Sequence, residues 1–231
     1  LDNNSATIAG DSFGNSVPSL DWYDTKLSYG RSDFDVGKIF VASAIYAIPN
    51  RTLSPRLLGI FRNGWEIGGI YKHSSGAPFT PLIGGDPLGK GGTDPWDYPD
   101  RISSCDSVNH NFRHTGLNYV NLACFPVPGG AIPNPHLLGN ASRNVITGPG
   151  LADLDMSLFK NNMVKKFSDS FNIQVRAELF NVLNHTNFTP PNSNNQQLYN
   201  GSLALLPTAG ELTTPTATTS RQLQLAVKII F

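Results

Sequence analysis

Charged residues are scarce in this chain, and neither sign dominates. They make up 15% of its 231 residues, with 17 basic side chains against 17 acidic ones. An average soluble domain carries roughly 25% charged residues. Without an excess of positive charge the sequence lacks the basic surface that nucleic-acid binding requires, so we expect no nucleic-acid partner.

Long apolar runs are also missing. No stretch approaches ~18 consecutive apolar residues, so the sequence predicts no transmembrane helix. A membrane β-barrel stays possible, because its strands alternate apolar and polar residues and keep the mean hydropathy near zero. The 22 Gly and 17 Pro disfavour long helices and favour strands joined by turns. The first residues, LDNNS, are neither a start methionine nor a signal peptide, which indicates a mature fragment or a piece of a longer protein.

Cysteine is nearly absent. The only two, Cys105 and Cys124, have 18 residues between them, a spacing that fits neither a CxxC redox motif nor a zinc knuckle. Both lie among Pro, Asn and Gly in a region that we expect to be exposed to solvent, which favours a loop disulfide. Its Cα atoms should then lie about 4.4–6.8 Å apart. Two unpaired thiols are the alternative.

The strongest pattern present is alternation of apolar and polar residues at the end of the chain. It predicts a terminal strand with two unlike faces. The apolar positions are Leu223, Leu225, Val227, Ile229 and Phe231. The positions between them include Gln222, Gln224 and Lys228.

The same alternation predicts further strands and one long gap. The strands cover residues 36–48, 65–72, 153–158 and 171–179, with a weaker one at 20–29. Residues 83–150 hold eight Pro and eleven Gly with no sustained period. A segment of this kind is unusual in a compact soluble domain but typical of an extracellular loop of an outer-membrane barrel.

Two all-β architectures fit this pattern, a membrane barrel and a soluble β-sandwich. Segments of about ten residues match tilted membrane strands and exceed the usual strands of soluble sheets. Aromatic residues cluster near strand ends, as in membrane-interface girdles. We therefore predict an all-β fold of antiparallel, up-and-down strands from a partial outer-membrane β-barrel, with one long irregular loop. The β-sandwich is the alternative.

Several segments resemble the TonB-dependent outer-membrane receptors, specifically the Oar-like barrel group. The most specific is RAELFNVLNHTNF at 176–188. The matching segments occur along the chain in the same order as in the family, and the resemblance covers residues from about Asp33 to Phe231. The others are DFDV at 33–36, GWEIGGI at 64–70, SGAPFT at 75–80, RN at 143–144, GPG at 148–150, DLDMSLFK at 153–160 and the terminal strand at 221–231.

The resemblance implies a barrel of about 22 strands with an N-terminal plug, which imports ligands with energy relayed from the inner membrane. This chain has about six predicted strands, fewer than the roughly eight of the smallest closed bacterial barrels, and we expect the plug to lie outside these 231 residues. We therefore expect residues 1–231 to form a C-terminal barrel segment in the bacterial outer membrane, with 83–150 as an extracellular-type loop that contacts ligand.

The resemblance also implies partners. They are outer-membrane lipid, the remaining barrel and plug, the inner-membrane energy-transducing protein reached through the missing N-terminal part, and the outer-membrane assembly machinery. The last would recognise the terminal apolar set that ends in Phe231. We expect no cofactor.

An enzymatic alternative rests on Gly10-Asp11-Ser12, which resembles the nucleophile block of SGNH (GDSL-type) esterases, where Ser12 would attack an ester carbonyl. Such a site also needs an Asp three residues before a His, and none of the five histidines has one. We therefore predict a non-enzymatic protein, with the esterase as the alternative. Neither the pair His110 and His114 nor the acidic set matches a defined metal site, so we expect no metal. The acidic set is Asp86, Asp94, Asp97 and Asp100.

Overall fold

Two compact units make up the chain in the computed structural model, which describes residues 26, 29–50, 59, 61–85, 96–129, 139–164, 171–212 and 216–231. One, here named the sheet unit, comprises Lys38–Ser74, Leu151–Asn187 and Thr216–Phe231. The other, the loop unit, comprises Leu1–Gly37, Ser75–Gly150 and Phe188–Pro215. Within the described ranges no helix is long and apolar enough to cross a membrane.

Strands dominate the described residues, and helical structure is confined to short pieces such as α1 at Ser193–Gln196 and a 3-10 turn at Leu122–Cys124. The strands are β1 Ile39–Ala47, β2 Trp65–Ser74, β3 Pro78–Phe79, β4 Leu82–Gly84, β5 Trp96–Asp97, β6 Ile146–Thr147, β7 Leu151–Met163, β8 Asn172–Phe180, β9 Gln197–Tyr199 and β10 Gln222–Ile230.

The sheet unit is one antiparallel sheet with the strand order β1-β2-β7-β8-β10. Its strands have 9 to 13 residues, long enough for a tilted membrane span. The expectation of antiparallel, up-and-down strands from a partial barrel is confirmed, and the barrel is not closed: β1 and β10 form the two edges of this sheet. The weak strand predicted at 20–29 lies almost wholly outside the described residues.

Strand β2 begins where a close approach of two backbones requires glycine. Gly64, directly before β2, has a φ of 79°, and a Cβ on it would collide with the backbone oxygen of Asn161. The Asn161 N–H donates to the Gly64 oxygen at 2.7 Å. Only glycine fits this left-handed conformation beside β7 without strain. The glycine therefore fixes the register of β2 against β7.

The loop unit is irregular, as expected for residues 83–150, but it is packed around a core of its own. Its two-stranded and three-stranded sheets are very short, and one pairing, β4 with β9, is parallel. Apolar side chains from distant parts of the chain are buried together. They include Phe79, Tyr119, Val120, Phe125, Ile146, Leu198 and Leu212.

A disulfide joins Cys105 and Cys124 in the loop unit, as expected, with Cα atoms 5.4 Å apart. Cys124 is fully buried in the core, and Cys105 packs against that core. A backbone hydrogen bond joins the same two segments, since Ile102 N–H donates to the Cys124 oxygen at 3.0 Å. The covalent link therefore supports a segment that has little regular secondary structure.

Asn144 anchors two distant segments of the loop unit. Its φ is 55°, a left-handed conformation that asparagine tolerates better than most residues. Its backbone N–H donates to Thr80 Oγ1 at 2.9 Å, and its side-chain amide donates to the Arg31 backbone oxygen at 2.8 Å and to Asp33. Arg143, also buried, pairs with Asp33 at 3.1 Å. This pair of residues thus ties 31–33 and 80 to the segment before β6.

Candidate functional site

The register of the sheet sorts its side chains into an apolar face and a polar face, because successive residues of a strand point to opposite sides. On the apolar face, residues of β10 lie opposite apolar residues of β8. The pairs are Leu223 with Leu179, Leu225 with Ala177, Val227 with Val175 and Ile229 with Ile173. The predicted apolar positions of the terminal strand therefore lie on one face and opposite apolar residues of β8.

The apolar face is open in the sheet unit. Leu225 is 72% exposed, and the other three apolar residues of β10 are also more than half exposed. Phe231, which follows β10, is exposed too. A continuous stripe of exposed large apolar side chains is rare on a protein surface in water and marks contact with lipid or protein.

The polar face carries most of the charged and amide side chains of four strands, while Lys160 and Asn162 of β7 lie on the apolar face. Strand β1 departs from this pattern, since Val41 and Ile45 share this face and leave both sides of β1 apolar. Besides the apolar residues Ile70 of β2 and Ala226 and Ile230 of β10, the polar face carries Glu66 and Lys72 of β2, Asp153, Asp155, Ser157, Phe159 and Asn161 of β7, Asn172, Gln174, Arg176 and Glu178 of β8, and Gln222, Gln224 and Lys228 of β10.

An ion cluster lies at the loop end of the polar face, the end where Ser74, Leu151 and Phe180 lie. Lys72 Nζ is 3.6 Å from Asp155 Oδ2 and 4.0 Å from Asp153 Oδ2. Sequence reasoning missed this cluster. The only available indication was that Lys72 and Asp153 occupy polar positions of predicted strands, and their contact depends on the register that pairs Lys72 with Asp153.

Asn181 holds the chain in place just beyond β8. Its φ is 48°, and its backbone N–H donates to Asp155 Oδ1 at 3.0 Å. Its side-chain amide donates to the backbone oxygens of His185 and Thr219 at 3.0 and 2.9 Å. One buried asparagine therefore orients Asp155 and also fixes the segment that leads into β10.

These residues line a cavity of about 410 Å³ within the sheet unit. Carboxylates, amides and hydroxyls surround it, with Phe180 as its aromatic member. The lining residues are Asp153, Asp155, Phe180, Asn181, Thr218, Thr219, Gln222 and Gln224. A volume of this size falls in the range of about 300–1,000 Å³ that is typical of small-molecule sites. The cavity is the candidate functional site.

The opposite end of the polar face, where β7 turns into β8, is a closed hydrogen-bond network instead. Asn161 donates to Glu66 Oε1 at 3.0 Å and accepts from Asn172 and Gln174 at 3.0 and 2.9 Å. Next to it, the Arg176 guanidinium lies 4.7 Å from the centre of the Phe159 ring. The amides and Glu66 satisfy one another, whereas Arg176 Nε is buried without a hydrogen-bond partner in the described part of the chain. This end links β2, β7 and β8 without lining the cavity.

The metal candidates of the sequence belong to the loop unit, and two of them, Asp86 and Asp94, are not among the described residues. His110 Nε2 is 2.9 Å from Asp106 Oδ2 on the surface. The backbone N–H of Val108, and then His110, lower the pKa of the Asp106 carboxyl. Asp97 is buried. Across the described part of the chain, no three His, Cys, Asp or Glu side chains are grouped as metal ligands.

Ser12 and its Gly10-Asp11 neighbours lie outside the described residues, so the esterase alternative stays a prediction. The same holds for the assembly role of the terminal set. The structure places Leu223, Leu225, Val227 and Ile229 on one face of β10, with Phe231 directly after the strand.

Comparison with known families agrees with the two-faced sheet. A family described as "Outer membrane beta barrel domain" matches residues 1–224, nearly the whole chain. No curated protein and no solved structure matches the chain significantly. The chain belongs to this family of outer-membrane β-barrel domains, and its location is the bacterial outer membrane.

Proposed function

We propose that this member of the outer-membrane β-barrel family is a wall segment of a TonB-dependent, Oar-like receptor that takes up a ligand without enzymatic activity. The observation that carries the proposal is the division of one sheet into an apolar face and a polar face with a cavity. In a transport barrel the outer surface contacts lipid and the lumen is polar. The apolar face would thus contact outer-membrane lipid, and the polar face would line the lumen.

The two open edges of the five-stranded sheet support the proposal that further strands complete the barrel. Among the described strands of this sheet, β1 pairs only with β2, and β10 pairs only with β8. An unpaired strand edge in a bilayer leaves backbone groups without hydrogen-bond partners, at a cost of several kcal/mol each. We assign the missing neighbours to the remaining barrel of the receptor, which would also hold the plug.

The loop unit fits the long loops of such receptors. Its segment Ser75–Gly150 joins β2 to β7, and Phe188–Pro215 lies between β8 and β10, so both connect strands at the same end of the sheet. Outer-membrane barrels carry their long loops on the extracellular side and short turns on the periplasmic side. The hairpin from β7 to β8 would then lie on the periplasmic side.

The test uses the full-length protein that contains this segment. Its reading frame should encode a plug and further strands before Leu1, and the purified protein should bind the periplasmic domain of the inner-membrane energy-transducing protein. Deletion of the N-terminal partner-contacting segment should abolish this binding. A protein with no plug that shows no such binding would disprove the TonB-dependent assignment and leave the family membership unchanged.

We also propose that β10 and Phe231 form the signal for the assembly machinery. The set is Leu223, Leu225, Val227, Ile229 and Phe231, and its exposure leaves it accessible before the barrel closes. Phe231→Ala in the full-length receptor should lower its level in the outer membrane severalfold, as measured by immunoblot of membrane fractions. Lys228→Ala, on the polar face, should be mild. Equal accumulation of both variants would disprove the signal.

A further inference from the structure

We infer that the cavity at the loop end of the polar face binds a cationic organic group, an ammonium or a guanidinium. The inference deepens the proposed function, because it assumes that this face lines a ligand-accessible lumen. It concerns the chemistry of the ligand and is independent of how uptake is energised.

The first argument is a buried carboxylate with one oxygen that has no hydrogen-bond partner. Asp153 is only 7% exposed, and its Oδ1 has no hydrogen-bond partner among the described residues. Its other oxygen is 4.0 Å from Lys72 Nζ, a distance too long for a hydrogen bond. A buried carboxylate oxygen without a donor is costly, and the positive charge of a ligand beside Asp153 would stabilise this carboxylate. This oxygen belongs to a residue that lines the cavity.

The second argument is the distribution of charge along the polar face. Its loop half carries three carboxylates, Asp153, Asp155 and Glu178, against the single ammonium of Lys72. Its hairpin half carries Arg176 and Lys228 against Glu66. The excess of negative charge is therefore confined to the half that contains the cavity. A groove lined by one sign of charge attracts a ligand of the opposite sign.

The third argument is size, which favours an organic cation over a bare metal ion. Calcium requires about six to eight oxygen ligands within roughly 2.6 Å. The described acidic side chains form no such group, and the cavity of about 410 Å³ has room for a small molecule. The side-chain amides of Gln222 and Gln224 offer further hydrogen bonds to the rest of that molecule.

The experiment compares two probes of equal shape on the full-length receptor in detergent. N-acetyl-L-argininamide carries a guanidinium, and N-acetyl-L-citrullinamide carries a neutral urea group in its place. Isothermal titration calorimetry should show that the arginine probe binds at least about tenfold more tightly, the scale expected for a charge-assisted hydrogen bond. Equal binding of both probes, or binding of neither, would overturn the inference.

Three variants locate the binding. Asp153→Asn should weaken binding of the arginine probe about tenfold or more, whereas Lys72→Gln should strengthen it, because it removes the competing cation. Glu66→Gln removes the same charge from the hairpin half and should leave binding unchanged. Heat-modifiable migration in gels verifies that each variant is folded. Lys72→Gln, with a half-exposed side chain, keeps the inference testable if Asp153→Asn does not fold.

Unchanged binding in Asp153→Asn, or weaker binding in Lys72→Gln, would contradict the inference. A purely structural ion cluster predicts that both variants lose affinity together. Because the titration needs no energy-transducing partner, its failure is distinguishable from failure of the proposed function. A receptor that binds the arginine probe but not the partner domain would retain the cation site and lose only the TonB-dependent assignment.

Discussion

The sheet unit and the loop unit use their apolar side chains in opposite ways. In the sheet unit, β10 displays Leu223, Leu225, Val227 and Ile229, each more than half exposed. In the loop unit, Phe125 and Leu198 are fully buried, and short strands and turns close around them. The sheet unit thus has regular backbone and an open apolar surface, whereas the loop unit has irregular backbone and a closed core.

This difference follows from the surroundings that each unit requires. In lipid, a strand must satisfy its backbone through neighbouring strands but gains nothing by hiding apolar side chains from the solvent. In water, burial of apolar area is the main stabilising contribution. The sheet unit matches the first environment and the loop unit the second, in agreement with an outer-membrane location.

The prediction with the largest expected effect concerns the core of the loop unit. Phe125 is fully buried, and its backbone oxygen accepts from Tyr199 Oη at 2.9 Å. Phe125→Ala should cost about 3–5 kcal/mol of local stability, because it removes a large side chain and leaves a cavity. Hydrogen exchange of the full-length receptor should show faster exchange of the Ile102 amide, which donates to the Cys124 oxygen.

The matched control is Phe34→Ala in the same unit, since Phe34 is 61% exposed. It should change the exchange of the Ile102 amide little. If the two variants had equal effects, the loop unit would lack a distinct core, and its contrast with the sheet unit would disappear.

The prediction with the next largest effect compares the two faces of the sheet at two adjacent residues of β10. Leu225→Arg places a charge at mid-strand on the apolar face and should cost about 2–4 kcal/mol if that face contacts the bilayer core. Gln224→Arg places the same charge on the polar face, opposite Glu178, and should cost little. Denaturant unfolding of the full-length receptor in phospholipid vesicles measures both. Equal costs would show that the apolar face does not contact lipid.

The sheet was predictable because period-two alternation is a local property of the sequence. The strands at 65–72, 171–179 and the terminal strand needed no information from elsewhere in the chain. Strand β7 was predicted too short, since Lys160 and Asn162 interrupt the apolar pattern although they remain in the ladder with β2 and β8. The polar tail of β7 is stabilised by amide hydrogen bonds, which leave no apolar pattern.

The cavity and the loop core were not predictable, because both depend on contacts between distant residues. Asp155 meets Asn181, 26 positions later, and Tyr199 meets Phe125, 74 positions earlier. No local pattern in the irregular segments indicates such pairs. The disulfide is the exception: only two cysteines were present, so their pairing needed no choice of partner.

The smallest effect concerns Tyr119, whose ionisation reports whether the loop core excludes water. Burial first, and then the charge of Asp106, raise the pKa of Tyr119 to about 12. Its hydroxyl donates to the Thr147 oxygen at 2.8 Å. Since an unfolded tyrosine ionises at about pH 10, the folded unit retains this proton to a higher pH. The resulting stabilisation should be complete below about pH 10 and diminish as the pH rises toward 12. The measurement is the absorbance of the tyrosinate band, taken as the difference between wild type and Tyr119→Phe. This difference should show one ionisation near pH 12. A difference that already rises at about pH 10 would mean that water reaches this core.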